Sequence, residues 1–128
     1  MRKIVVSVQN GLLAETISRM LEESGEFRIY RSAIGGRSSL AADCTTHAAE
    51  TVLMEVSFGS GMTLRDRLEE TRQIKAADPN CKVALLCDEN TAPDLAREVA
   101  LAKKDGCVDT FFHTSVTGSY LVAALAAL

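Results

Sequence analysis

No uninterrupted apolar run in this 128-residue sequence approaches the length of a membrane span. The amino terminus, Met1-Arg2-Lys3 before Ile4-Val5-Val6, is too short an apolar stretch for a signal peptide. There is no positive excess either: 14 basic residues against 17 acidic ones give a net charge of -3. The chain therefore offers nucleic acid no basic footprint, and Lys103-Lys104 reads as the polar end of a helix. Cysteine pairing is missing as well. Cys44, Cys81, Cys87 and Cys107 are widely spaced, with no Cys-x-x-Cys, and read as reduced core thiols rather than a disulfide framework. His47 and His113 stand far apart without clustered carboxylates, a poor basis for a transition-metal site. Asn10-Gly11 and Gly35-Gly36-Arg37-Ser38 could turn backbone N–H groups toward an anion, but neither matches a Walker or dinucleotide fingerprint. The expectation is a cytoplasmic protein without membrane contact, cofactor or direct nucleic-acid binding.

What is present is strong periodicity. Residues 3–8 form a β-branched run ended by Asn10-Gly11, and 27–31 alternate apolar and charged side chains as an edge strand would. Further strands are predicted over 51–56, 82–87 and 108–112. Between them, helical spacing predicts helices over 12–24, 38–48, 63–77, 91–104 and 117–128. The helical spacing rests on Leu13, Ile17, Met20 and Leu21 in the first helix; on Leu40, Ala41, Cys44 and Ala48, sharing one face, in the second; and on Leu64, Leu68 and Ile74 in the third. The last two present Leu95, Val99 and Ala102, and Leu121, Leu125 and Leu128.

Five strands alternating with five helices imply one α/β domain over residues 1–128, a parallel sheet covered on both faces. At this length the expected architecture is three-layer α/β/α and flavodoxin-like, with strand order 2-1-3-4-5. Right-handed crossovers then gather the functional loops on one rim, at the carboxyl ends of the strands. Glu55 stands there. It closes the apolar run Thr51-Val52-Leu53-Met54 and precedes the loop Phe58-Gly59-Ser60-Gly61. A carboxylate in that place costs desolvation free energy unless something local uses it.

In this register the whole chain resembles the CheY-like receiver domain of two-component response regulators. Lys3-Ile4-Val5-Val6 with Leu12-Leu13 looks like the family's first strand and helix start, and Val52-Leu53-Met54-Glu55-Val56 like its third strand. Gly59-Ser60-Gly61-Met62 stands where the family has its Pro-Gly-Met loop, and Gly106-Cys107-Val108-Asp109 echoes Gly-Ala-Asp-Asp. The resemblance implies a phosphoacceptor aspartate, two acids holding Mg²⁺, a hydroxyl residue and a lysine, and each of these places holds something else. The acceptor position falls on Glu55, one methylene too long, which displaces the attacking oxygen by on the order of 1 Å and costs about 10²-fold. The acidic pair falls on Val8 and Gln9, or one residue later on Gln9 and Asn10. The switch positions fall on Cys87 for the hydroxyl, His113 for the lysine and Thr110 for the aromatic residue. A hard cation wants several anionic oxygens, so the implied Mg²⁺ site is expected to be lost.

The expectation is therefore a degenerate pseudo-receiver, not an enzyme, in which Glu55 is either a built-in mimic of the phosphorylated acid or an inert rim carboxylate. The nearly all-apolar segment 120–128 departs from the one-sided pattern of a surface helix. With the resemblance, it implies a protein partner or homodimer through the last two helices, on a face assigned to Leu95, Val99, Tyr120 and Leu121. The family often carries an output domain, commonly DNA-binding and regulating transcription, which would lie beyond Leu128. The alternative is a flavodoxin-like small-molecule or phosphate-ligand binding protein or enzyme using the same rim.

Overall fold

The structure is a computed structural model that describes residues 1–32, 39–59, 61–88 and 93–128. Its elements, in chain order, are β1 (Arg2–Ser7), α1 (Gly11–Glu23), β2 (Phe27–Arg31), α2 (Leu40–His47), β3 (Thr51–Val56), α3 (Leu64–Ala77), β4 (Lys82–Cys87), α4 (Pro93–Lys104), β5 (Thr110–His113) and α5 (Gly118–Ala126). All neighbouring strands pair in parallel, in the order β2-β1-β3-β4-β5. The expected flavodoxin-like, three-layer α/β/α fold is the observed one. Gly35-Gly36, Arg37-Ser38, Ser60, and the first two residues expected for the fourth helix, 91 and 92, lie outside the described residues.

Short polar side chains set the helix starts. Asn10, Ser39, Thr63 and Thr117 accept N–H bonds from Leu13, Ala42, Asp66 and Tyr120. Such caps contribute about 1 kcal/mol each by satisfying an otherwise orphaned donor. The strands alternate between two cores, as period-2 geometry requires. Val5, Val52, Met54, Val56, Val83 and Leu85 face α2, α3 and α4. Ile4, Val6, Leu53, Ala84, Leu86 and Phe112 face α1 and α5. No helix among the described residues is long and apolar enough to cross a membrane.

Several expectations require correction. Leu95, Val99 and Leu121 are core residues, so of the four assigned to a partner face only Tyr120 is exposed. Their helical spacing marks the face turned to the sheet, where apolar burial is most favourable. Ala48 is not on the buried face of α2. It is exposed and ends the helix at φ 52°, the left-handed conformation usual for a helix stop, though costly for a residue with a Cβ. The inner face of α3 is carried by Arg67, Thr71 and Ile74, while Leu64 and Leu68 are only half-buried. Cys107 is exposed, unlike the other three thiols. The last strand starts at Thr110 rather than 108, because Asp109 is used otherwise.

At the amino-terminal end of β4, the Asp109 carboxylate accepts bonds from Lys75 Nζ at 2.8 Å and from the Val83 N–H at 2.7 Å. Lys75 also donates to the Cys81 carbonyl. Burial alone would raise the Asp109 pKa; the Lys75 and Val83 hydrogen bonds and the charges of Lys75 and Lys82 outweigh it and hold it below the usual carboxylate value. A depressed carboxylate pKa stabilises the fold above its unfolded value near 4, and that stability disappears as pH falls through the folded pKa. Asp109→Asn should lower unfolding free energy by about 1–2 kcal/mol at pH 7. In urea titrations the deficit should stay constant down to about pH 4 and shrink below it. A deficit that does not shrink in acid would contradict this account.

Candidate functional site

The carboxyl ends of β1, β3, β4 and β5 meet at one rim, and the chain places a carboxylate, a thiol and an imidazole there. Glu55, opposite Leu86 in register, is half-buried and points to the α1 and α5 side of the sheet, alternating with Met54 and Val56. Its Oε1 accepts the backbone N–H of Gln9 at 2.9 Å. The loop after β3 folds back toward the same place. Ser57 N–H bonds the Met62 carbonyl, Met62 N–H bonds the Gly59 carbonyl, and Met62 is buried beneath. A Cβ on Gly59 would make only ordinary contacts, 3.4 Å from Ser57 Oγ and 3.8 Å from Gln9 Oε1, so the two loops meet here without the close approach requiring glycine.

Cys87 and His113 face each other as register partners of β4 and β5, with Sγ 3.9 Å from Nδ1. The thiol is buried; the imidazole is half-buried and edge-on to Phe111 at 5.5 Å. Thr114 N–H continues the pairing to the Cys87 carbonyl at 3.0 Å. Thr110 lies at the start of β5, opposite Ala84 and well below the rim. The sequence-derived set thus divides. Glu55, Gln9, Asn10, Cys87 and His113 gather at strand ends, Val8 is buried among apolar residues, and Thr110 stands apart.

Between these ends lies a cleft of about 380 Å³. Asn10, Leu13 and Phe58 form part of its wall, with Glu55 and Asp88 contributing carboxylates. Phe58 is 73% exposed, an apolar ring held at the rim.

Sequence reasoning missed Arg67. Its side chain is 2% exposed, yet it carries a guanidinium. Nε donates to the Glu55 carbonyl at 2.8 Å, Nη2 to the Ser7 carbonyl at 3.0 Å, and Nη1 to Glu70 Oε1 at 3.2 Å. One side chain thereby ties the ends of β1 and β3 to α3. Burial pushes the Arg67 pKa down and the Glu70 pKa up, while their mutual attraction opposes both shifts. Arg67 stays charged regardless, as guanidinium does in proteins. The signal was legible in the spacing 67, 71, 74, which places Arg67 on the inward face of the helix.

The donors do not fit a hard divalent cation, which needs several anionic oxygens. Val8 offers an apolar side chain to the core, Asn10 Oδ1 caps α1 through Leu13 N–H, and Glu55 Oε1 is engaged by a backbone donor. No three His, Cys, Asp or Glu side chains among the described residues converge on a metal position.

No family model and no curated protein matches this sequence. Solved structures do match its shape. A response regulator receiver domain protein of Clostridium thermocellum superposes with a TM-score of 0.75 at 21% identity, over 99% of this chain and 93% of the other. A CheY-like protein (TadZ) of Pseudomonas aeruginosa gives 0.75 at 16% identity, over 99% and 98%. A DNA-binding response regulator of the LuxR family from Staphylococcus aureus gives 0.73 at 16%, over 99% and 98%. At these identities the likeness establishes the fold.

Replacing Arg67 by Met should leave the Ser7 and Glu55 carbonyls and the Glu70 carboxylate without their donors. The expected loss is about 2–4 kcal/mol in urea unfolding, because buried partners stay behind unpaired. Arg67→Lys should recover only part of it, since an ammonium cannot reproduce the planar fork. A loss under about 0.5 kcal/mol, the range of an ordinary surface substitution, would contradict the assignment.

Proposed function

We propose that this chain is a receiver-like signalling module that does not use metal-dependent aspartyl phosphorylation. The single observation that carries this reading is the Gln9 N–H bond to Glu55 Oε1 at 2.9 Å, in the place where such chemistry would present a carboxylate to a cation. The likeness to receiver structures supports the signalling class. Val8 and Gln9 in place of acids, Glu55 in place of aspartate, and the Cys87–His113 pair in place of hydroxyl and lysine support loss of phosphotransfer. Glu55 is then a fixed negative charge, and output is set by a partner or ligand. The domain performs no catalysis and needs no cofactor, and its setting is the cytoplasm.

The partner surface in this reading is the face around β5, an edge strand flanked by α4 and α5. Leu101 and Tyr120 are 52% and 61% exposed on those helices, and their apolar area supports a protein partner or a second copy. In this reading the chain itself makes no direct nucleic-acid contact, in keeping with its net charge of -3. A second reading, a small-ligand binder, rests on the rim cleft, whose volume of about 380 Å³ is enough for a metabolite-sized molecule.

Titration with Mg²⁺ and beryllofluoride, followed by amide NMR, tests the main reading. The expected result is no saturable shift at Glu55, Cys87 or His113. Tight, saturable binding centred on those residues would overturn it. Paired Leu101→Glu and Tyr120→Glu substitutions should abolish self-association in sedimentation runs while leaving the circular dichroism spectrum unchanged. Self-association that survives both charges would remove this face from the proposal.

A further inference from the structure

Glu55 and Cys87 leave the rim on opposite faces of the sheet. Glu55 points to the α1 and α5 side, whereas Cys87 alternates with Val83 and Leu85 and packs in one apolar cluster with Val56 and Leu95. His113 stands beside Cys87 as its register partner on β5, and the Thr114 N–H bond to the Cys87 carbonyl at 3.0 Å carries the pairing one residue further. Backbone pairing therefore holds Sγ and Nδ1 at 3.9 Å. The thiol is 1% exposed, and the half-buried imidazole lies between it and solvent. As a hydrogen bond the contact is poor, because a thiol is a weak donor and the separation is long. As the two arms of a metal site it is well spaced. Metal–sulfur and metal–nitrogen bonds of about 2.3 and 2.0 Å set their donors about 3.5 Å apart at a tetrahedral angle and about 4.3 Å apart in line. The observed 3.9 Å lies between these limits, so one ion fits between the two atoms without moving either strand.

The donors decide which ion. A thiolate with an imidazole suits soft or borderline transition metals and not magnesium or calcium. Zinc takes at least three protein ligands, and no three His, Cys, Asp or Glu side chains among the described residues converge on one position. Copper(I) is satisfied by two donors, and thiolate ligands select it. We infer that Cys87 and His113 form a two-donor site for copper(I), a soft monovalent cation. On binding, the S–H bond breaks, its proton leaves to water and an S–Cu bond forms in its place. Nδ1 donates its lone pair, the imidazole keeps its proton on Nε2, and copper stays monovalent with no electron transferred. One positive charge replaces another, so the site is neutral before and after, and its apolar surroundings take up no added charge. The ion would tie the end of β4 to the edge strand β5. This site does not depend on the signalling reading, and either can fail without the other.

Copper(I) itself is the probe, delivered without oxygen as its bicinchoninate complex to the reduced Cys107→Ser chain, so that the exposed thiol cannot compete. The chain is expected to withdraw one copper per molecule. X-ray absorption should then show a two-coordinate ion with one sulfur and one nitrogen neighbour, and the His113 ring nitrogens should shift in heteronuclear NMR. The melting temperature should rise, because only the folded state brings the two donors together. Cys87→Ser and His113→Gln should each weaken binding about a hundredfold, the loss expected when one of two arms goes. Circular dichroism identifies a variant that fails to fold, and the absorption and NMR measurements on the Cys107→Ser chain stand without either. Copper left entirely with bicinchoninate would overturn the site, as would an ion with two sulfur neighbours, which would belong to Cys44 and Cys81. Affinity undiminished in both variants, or zinc held as tightly by the same pair, would overturn it too.

Discussion

The rim is organised around a buried charge. Arg67 brings a guanidinium into the core, where an ion is costly unless its hydrogen bonds are met. It meets that requirement with the final carbonyl of β1, the penultimate carbonyl of β3 and one carboxylate. Strand ends ordinarily present unsatisfied carbonyls to loops or water; here they converge on a single donor group. The ends of β1 and β3 are thereby fixed relative to each other and to α3, and the geometry of the rim follows from that constraint. Glu55 and Gln9 are neighbours because the strands beneath them are joined.

Electrostatically, the site is balanced from within. The Glu55 carboxylate receives a backbone donor at its tip, while the positive charge of Arg67 lies below its main chain. On the other half of the rim, Cys87 and His113 are a softer pair with a longer contact. Glu55, like the opposite end of the sheet where Lys75 and Asp109 join α3 to β4, is therefore tied across elements rather than along one.

Much of this was legible in the sequence, for identifiable reasons. The strands 51–56 and 82–87 coincide with the observed β3 and β4 because apolar runs bounded by polar residues leave little choice of register. The position of Glu55 at a strand end followed directly. Arg67 was not found, because a charged residue is read as solvated unless its spacing is weighed against its type. Leu95, Val99 and Leu121 were assigned outward because an apolar helix suggests a partner, whereas the sheet was the partner they already had. The start of β5 was misjudged because Asp109 spends its carboxylate on Val83 of the neighbouring strand, which no local pattern reveals.

The bond between Gln9 and Glu55 bears on which residues position 9 can carry. Its donor is a main-chain N–H, which every amino acid except proline supplies. The side chain at position 9 is therefore released from holding the carboxylate, and mutation there can explore other chemistries without unseating it. The carboxylate is in this way positioned by the path of the chain rather than by the identity of the side chain at position 9.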